Sequence, residues 1–438
     1  MNSEELARDI SSTLKARGRQ AYLVGGCVRD LLLGRPPKDF DVATDARPEE
    51  VVALFPDSEQ VGAHFGVVLV RKAGAQVEVA TFRSDHSYSD GRHPDSVRFE
   101  TDPRQDALRR DFTINAMMLD PDSGQILDFA GGRDDLRQRV IRAIGDPEQR
   151  FREDHLRMLR APRFAASLGF AIDPGTAAAI RSLRAAIGDV STERVRDELI
   201  RILTEGGARR GFEALDELRL LPEILPEVSA MHGVEQPPEF HPEGDVWIHT
   251  MLMLEGLRQP TPTLASGVLL HDIAKPPTFR RAERIRFDGH VEMGAKMAVE
   301  ILGRLRFSSD QIDRVEALVA NHLKFKDVHR MRESTLKRFL RQPHFEEHLE
   351  LHRLDCASSH RRLENYHFCV EKLASLGPEE LKPAPLLTGR DLIAAGYRPG
   401  PAFGEMLTAV EDAQLESRIG TRQEALELVR RLFPPPQQ

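Results

Sequence analysis

The sequence is poor in cysteine, has no excess of basic charge and contains no long apolar run. Its three cysteines, Cys27, Cys356 and Cys369, follow no spacing pattern. That excludes a disulfide framework and a thiolate zinc site, and it fits a reducing cytoplasm. Lysine and arginine number 61 against 69 aspartates and glutamates, a formal charge of −8. The molecule therefore does not coat nucleic acid by charge alone, and any such site has to be local. No window approaches 18 consecutive apolar residues, which excludes a membrane span. A hydrophobic content of 40% excludes wholesale disorder. The opening MNSEELARDI is acidic and amphipathic where a secretory signal is basic and then apolar. There is no internal repeat.

What is present is length enough for several cores, 438 residues, and arginine. Of the 61 basic residues, 51 are arginines, whose forked guanidinium suits phosphates and base edges, although a GC-rich genome produces the same bias. Along the first 145 residues the pattern is mixed. Residues 4–17 read as a helix, AYLVGG as a strand ending in a glycine pair, CVRDLLLG as a helix, and PPKDFDVAT as a loop entering a strand. GVVLVRKAGAQVEVATF reads as two strands about a turn at Ala73-Gly74-Ala75. From Asp146 the strand signals vanish and helical spacing takes over. Proline and glycine cluster at 237–244, 276–277 and 383–401, and PPPQQ reads as a frayed tail. The divisions expected are 1–145, 146–230, 231–375 and 376–438.

Two residues apart on a strand, Asp39 and Asp41 face the same way and are able to hold one Mg²⁺ between them. Upstream, Gly25 and Gly26 at a strand end let backbone N–H groups approach a triphosphate, with Arg29 one helical turn on. A lone DxD is commonly a solvated turn, and a glycine pair commonly just a turn. In order, however, LVGGCVRDLLLGRPPKDFDVAT resembles the opening of the nucleotidyltransferase superfamily typified by DNA polymerase beta. Within it the resemblance is to the class II branch of tRNA CCA-adding enzymes and bacterial poly(A) polymerases.

That resemblance implies an α+β fold class: a polymerase-beta-like head built on a small mixed sheet with helices, then an all-α neck, body and tail containing an HD domain. It implies that Gly25, Gly26, Asp39 and Asp41 hold two Mg²⁺ and the triphosphate. Glu78 is a third carboxylate or, equally, an ordinary strand-edge charge. RRDFTINAM matches the family's second motif, so Arg110, Asp111 and Asn115 are expected at ribose and triphosphate. DFAGGRDDL, with Asp128 and Gly132, resembles the third, a hinge of head against neck.

RFREDHLRMLRAPRF carries Arg150, Arg152, Arg157, Arg160 and Arg163 against Glu153 and Asp154. Spaced three apart, Asp154 and Arg157 are expected on one helix face. There the carboxylate accepts from the exocyclic amine of adenine or cytosine and the guanidinium donates to the ring nitrogen. Uracil and guanine put a carbonyl where the amine would be and leave buried groups unpaired. The family's EDxxR motif matches Glu153, Asp154 and Arg157, with Arg160 expected beside them at the nucleotide. STERVRDEL matches its fifth motif, in which Glu193, Arg194 and Glu198 brace the neck. Pro162 departs from a continuous template helix and should end or bend it one turn after Arg157. SDHSYSDGRHPDSVRF resembles the family's flexible loop, through Asp90, Gly91, Arg92 and Pro94, with His93 where arginine is commoner.

In the second half, His249, His271, Asp272, His290, His322 and Asp355 stand in mainly helical contexts. Imidazole and carboxylate together suit one or two divalent metals. The set resembles the HD phosphohydrolase superfamily: His249, His271, Asp272 and Asp355 meet its pattern, and His290 and His322 match the extra ligands of two-metal members. A divalent transition metal of unspecified identity is implied there. The expected function is template-independent addition of CCA to the tRNA 3′ end from CTP and ATP, by two-metal phosphoryl transfer with Mg²⁺. The expected setting is the cytoplasm, with no membrane and no obligate protein partner. Completion of CC-ended tRNA by A alone, poly(A) synthesis, and an HD phosphohydrolase with a binding-only head are the alternatives.

Overall fold

The computed structural model describes residues 1–61, 66–86 and 96–434. Helix α1 (Ser3–Ala16) starts where Asn2 accepts the Glu5 N–H at 2.8 Å and the Glu5 carboxylate accepts the Asn2 N–H in return. Its buried stripe of Leu6, Ala7, Ile10 and Leu14 packs one helical face inward. Next come β1 (Ala21–Val24), α2 (Gly26–Leu32), β2 (Asp41–Thr44) and α3 (Pro48–Leu54). They are followed by β3 (Ser58–Gln60), β4 (Val67–Lys72) and β5 (Ala75–Thr81). A separate pair, β6 (Arg83–His86) and β7 (Ser96–Phe99), precedes α4 (Pro103–Leu108), β8 (Met118–Leu119) and β9 (Ile126–Leu127).

Seven of these strands form one sheet in the order β3-β4-β5-β2-β1-β8-β9. The β4–β5 turn falls where the sequence predicts it, because Ala73 and Gly74 both take positive φ (49° and 83°), the two-residue geometry that matches strand twist. β2 and β5 run parallel, with Asp41 opposite Glu78. In β5 the alternation is strict: Val77, Val79 and Thr81 are buried, and Glu78 points to the other face. Val24, Ala43, Phe82, Ala107, Ala116, Met118 and Ile144 form the core beneath β1 and β2.

Then follow α5 (Gly132–Gln138), β10 (Val140–Ile141), α6 (Pro147–Glu153), α7 (Arg157–Leu168), β11 (Ala171–Ile172), α8 (Pro174–Leu183) and α9 (Thr192–Thr204). The chain after Asp146 is mostly helical, as expected, but not wholly so: β11 pairs in parallel with β10, and Arg280–Arg281 pairs with Ile285–Arg286. Two expectations are corrected here. Asp154 and Arg157 do not share the face of one helix, because the chain breaks between α6 and α7. Asp154 is extended (φ −147°, ψ 106°), and its Oδ1 accepts the Leu156 N–H at 3.1 Å, a local turn that competes with the helix. Finally, Pro162 does not end its helix. It forfeits the hydrogen bond to Met158, yet α7 runs on to Leu168 because Leu159, Ala161, Phe164, Ala165 and Leu168 bury its apolar side.

The chain divides into two compact units, Met1–Ala230 with Arg304–Arg306, and Met231–Gly303 with Phe307–Gln438. The second is helical apart from the short strand pair. One of its cores gathers Phe325, Phe339, Phe345 and Cys369, another Leu392, Tyr397, Val410 and Ala425. Among the described residues, no helix is long and apolar enough to cross a membrane.

Candidate active site and metal centre

In the first unit the β1–α2 junction sets the geometry. Gly25 has φ 77°, and a Cβ there would sit 3.3 Å from Arg110 Nη1 and 3.7 Å from Asp41 Oδ2. Only glycine takes that conformation easily and leaves the backbone bare. Gly25 and Gly26 line a cleft of about 620 Å³ together with Asp39, Asp41, Arg110 and Asn115. Asp39 is exposed just before β2, and Asp41 is its first residue. Glu78 is not in the cleft wall but stands opposite Asp41 across the parallel pair. Burial, then Glu78, push the Asp41 carboxyl up to about 6; Arg110 pulls the other way and Asp39 adds to the rise. Like charges gathered in this way favour a cation between them.

A chain of hydrogen bonds ties three elements together beside that pole. Arg29 donates to Asn115 Oδ1 at 2.8 Å, Asn115 donates to Asp111 Oδ1 at 3.2 Å, and Arg160 Nε donates to Asp111 Oδ2 at 2.8 Å. Burial alone would raise the Asp111 pKa, but Arg160 and Arg157, with the Phe112 N–H, outweigh it and hold the carboxyl at about 2. Arg110 pairs with Asp106 at 3.0 Å and Arg109 with the same buried carboxylate at 2.6 Å.

Asp154 and Arg157 meet at the cleft from the two sides of the helix break. Asp154 is held by Arg194 Nη2 at 2.9 Å from α9, which is why its backbone leaves the helix. Arg157 is held by Glu153 at 2.6 Å and by the carbonyls of Arg150 and Arg109. Asp154, Arg157, Arg160 and Arg194 all line the cleft. Glu198 stands behind the wall, paired with Arg163 at 2.6 Å. Glu193 is exposed in the first turn of α9, without a side-chain partner among the described residues. Asp128 accepts the N–H groups of Ala130, Gly132 and Arg133, and a Cβ on Gly132 would lie 2.3 Å from the Thr113 carbonyl oxygen. Asp90, Gly91, Arg92, His93 and Pro94 lie outside the described residues. Asp106 and Arg150, which do not line the cleft but hold Arg109 and Arg110 from behind, were not legible as its supports. Arg150 caps the carbonyls of Leu108, Arg109 and Ile144, and only its place in an arginine-rich run hinted at a role.

In the second unit four imidazoles converge. His249 lies in the helix Val246–Gly256, His271 at the end of Pro262–Leu270, His290 at the start of His290–Arg304 and His322 at the end of Ser309–Asn321. Asp272 follows His271, and Asp355 comes from Phe345–Ser358. His249, His271 and Asp355 present ligand atoms within 4.8 Å of one another, and so do Asp272, His290 and His322. The Nδ1 atoms of His271, His290 and His322 each meet the carbonyl three residues back, at 2.9, 2.7 and 2.7 Å. Their Nε2 atoms are buried with no aligned hydrogen bond among the described residues, although that of His271 lies 3.1 Å from Asp272 Oδ2. A buried polar atom left unpaired costs about 1–3 kcal/mol, and these nitrogens, gathered with Asp355 and Asp272 in two groups, fit a divalent cation.

The charges agree. Burial opposes ionisation of Asp272, yet His271 and Lys275 hold it well below the carboxylate range. Burial works against a charged His249, but Asp355 at 3.2 Å and Glu243 at 2.7 Å raise it to about 9. Burial lowers His322 to about 4. Glu243 and His241, which join His249, fall in the 237–244 segment that reads from sequence only as a proline and glycine break.

Comparison with known proteins adds to this geometry. Residues 21–142 match the poly A polymerase head domain, 169–231 the probable RNA and SrmB-binding site of polymerase A, and 246–350 the HD domain. Heads and HD domains of these kinds generally bind divalent metals, which the carboxylate and imidazole groups here suit. A CCA-adding enzyme of Geobacillus stearothermophilus is 46% identical over 214 residues, 49% of this chain and 53% of that protein. One from Limosilactobacillus fermentum is 42% identical over 216 residues, 49% and 54%. The chain thus spans about half the length of the curated relatives it matches. Among solved structures, the CCA-adding enzyme of Bacillus stearothermophilus in complex with CTP superposes with a TM-score of 0.76 and 29% identity, over 98% of this chain and 97% of that one. The Thermotoga maritima CCA-adding enzyme complexed with tRNA shares the fold, with a TM-score of 0.59 and 21% identity over 98% and 95%. A poly A polymerase head domain, an RNA-binding segment of polymerase A and an HD domain thus follow one another along this chain, which is similar to CCA-adding enzymes in sequence over about half its length and in fold over nearly all of it.

Proposed function

We propose that the protein is a template-independent tRNA nucleotidyltransferase that adds CCA to the tRNA 3′ end from CTP and ATP, in the cytoplasm. The observation that carries this reading is that Asp39 and Asp41 line the same cleft as Asp154 and Arg157, so a phosphate-handling pole and a base-reading pair lie in one wall. In this reading residues 1–145 are the catalytic head, 146–230 the neck and RNA-binding region, 231–375 the HD domain and 376–438 the tail.

Asp39 and Asp41, with Glu78 beside them, would hold Mg²⁺. Held there, it would supply charge to activate the RNA 3′-hydroxyl and to neutralise the leaving pyrophosphate. The Gly25 and Gly26 backbone and Arg29 bind the triphosphate, with Arg110 next to them. Asp111 and Asn115, at the ribose and triphosphate, also keep Arg160 and Arg29 in place. Asp154 accepts from the exocyclic amine of CTP or ATP and Arg157 donates to the ring nitrogen, while Arg194 and Glu153 hold the two side chains in register. A pre-positioned acceptor admits both amine-bearing bases and rejects the two that carry a carbonyl there. The HD cluster would hold a divalent transition metal and lend the second unit a phosphohydrolase activity.

The test is product length on three RNAs: tRNA ending at the discriminator base, tRNA ending in CC, and oligo(A), each with CTP, ATP or both. Three additions on the first, one A on the second and little on oligo(A) are expected. Extension of the CC-ended RNA alone identifies an A-adding enzyme, and a long ladder on oligo(A) a poly(A) polymerase. No incorporation anywhere leaves the HD phosphohydrolase.

A further inference from the structure

Three of the four imidazoles in the second unit are oriented by the main chain, and one is not. His271, His290 and His322 each direct Nδ1 to a carbonyl oxygen of their own helix end or turn. His249 sits inside a helix, where the carbonyls are already taken, and its Nδ1 meets Glu243 Oε1 at 2.7 Å. That carboxylate is 7% exposed. The same oxygen lies 2.9 Å from Nδ1 of His241, whose ring stands edge-on to His249 at 4.8 Å between centroids.

The local chain explains how Glu243 reaches back. Asp245 caps the helix, its Oδ1 accepting the Ile248 N–H at 2.8 Å and its Oδ2 the Gly233 N–H at 2.7 Å. Gly244, with φ 132°, reverses the backbone between that cap and Glu243. The carboxylate is thereby laid against the first turn and a half of the helix, beside His249. A carboxylate offers only acceptors, so the nitrogen facing it must be the N–H. The other nitrogen, Nε2, is turned toward Asp355 Oδ1 at 3.2 Å, where a bound cation would take the place of the proton that this second carboxylate otherwise favours. His241 and His249 both lie at hydrogen-bond distance from a single carboxylate oxygen, which is the geometry of two donors on one acceptor.

We infer that Glu243 is a positioning residue of the metal centre: it fixes His249 in the Nδ1–H form with Nε2 presented to the cation, and His241 in turn fixes Glu243. This rests on the reading of the histidine cluster as a divalent-metal site. Partners of this kind set the orientation and basicity of a ligating imidazole, and their loss weakens metal affinity by about 10- to 100-fold.

The experiment measures Co²⁺ binding to the full chain by chelator competition and by visible absorption, for the parent, His271→Ala, Glu243→Ala, Glu243→Gln and His241→Phe. The parent should bind Co²⁺ and His271→Ala should not. Glu243→Ala should bind it about 10- to 100-fold more weakly with an altered absorption band. Glu243→Gln, which keeps an acceptor of the same shape, should recover part of that loss, and it carries the test should the alanine variant fail to fold. His241→Phe should lose less than Glu243→Ala. Binding by folded Glu243→Ala and Glu243→Gln within twofold of the parent, with the parent's absorption band, overturns the role of Glu243 and leaves the metal site standing. A parent that binds no Co²⁺ overturns both.

Discussion

Replacing Asp154 by alanine should loosen nucleotide choice before it harms the fold. The carboxylate has two partners, Arg194 Nη2 at 2.9 Å and the Leu156 N–H at 3.1 Å. Arg194 is 23% exposed, so water takes over its unpaired charge and the lost ion pair costs no more than about 1 kcal/mol. The Leu156 contact is of similar size, about 1 kcal/mol. For the incoming base the loss is larger. A charge-assisted hydrogen bond from an exocyclic amine in a water-poor cleft is worth about 1.5–3 kcal/mol, a factor of about 10 to 150 in relative rate. The assay is kcat/KM for each of the four nucleoside triphosphates on CC-ended tRNA and on tRNA ending at the discriminator base, with thermal unfolding run alongside. The ratio of ATP or CTP over UTP or GTP should fall at least tenfold, chiefly through a lower kcat/KM for the amine-bearing nucleotides, while the unfolding midpoint moves by a few degrees. A ratio within twofold of the parent's, with UTP and GTP still rejected, would refute the reasoning.

Asp39→Ala and Asp41→Ala should each abolish nucleotide incorporation while tRNA binding persists. More than a few per cent of parental incorporation in a filter assay, a loss of only about 2 kcal/mol in activation free energy, counts against the carboxylate assignment. Asp111→Asn should cost about 2 kcal/mol of stability, since lowering the carboxyl from 3.8 to about 2 is worth that much at neutral pH. The depressed pKa means this contribution is whole above the unfolded value near 4 and vanishes as pH falls toward 2; urea unfolding at pH 7 and pH 3 should show the parent and variant converging. Gly132→Ala forces a Cβ to within 2.3 Å of the Thr113 carbonyl oxygen and should destabilise by about 1–3 kcal/mol; an unchanged unfolding midpoint in calorimetry contradicts that contact.

What the sequence made legible was local. The Gly25-Gly26 pair, the Asp39 and Asp41 spacing and the Ala73-Gly74 turn are written in adjacent residues, and periodicity exposes the strands on either side. The break between α6 and α7 was hidden because its cause is distant: Asp154 leaves the helix to meet Arg194, forty residues on. β10 and β11 are two residues each, too short for any period, and pair across the whole of α6 and α7. Pro162 misled for the opposite reason, since burial along α7 outweighs one missing hydrogen bond. In the second unit the ligand-bearing histidines stood out by type, whereas Glu243 did not, because an acidic residue among prolines and glycines looks like a loop until the fold lays it on His249.

Most arginines of the cleft are already matched within the protein: Arg29 with Asp30 and Asn115, Arg110 with Asp106, Arg157 with Glu153, Arg160 with Asp111, Arg163 with Glu198 and Arg194 with Asp154. Few mobile counterions then need to sit on that wall, and few are released when an anion enters. Binding driven by counterion release fades steeply with added salt. Here nucleotide affinity should decline only gently with ionic strength, whereas an open patch of unpaired positive charge would be masked by salt or filled by any passing polyanion.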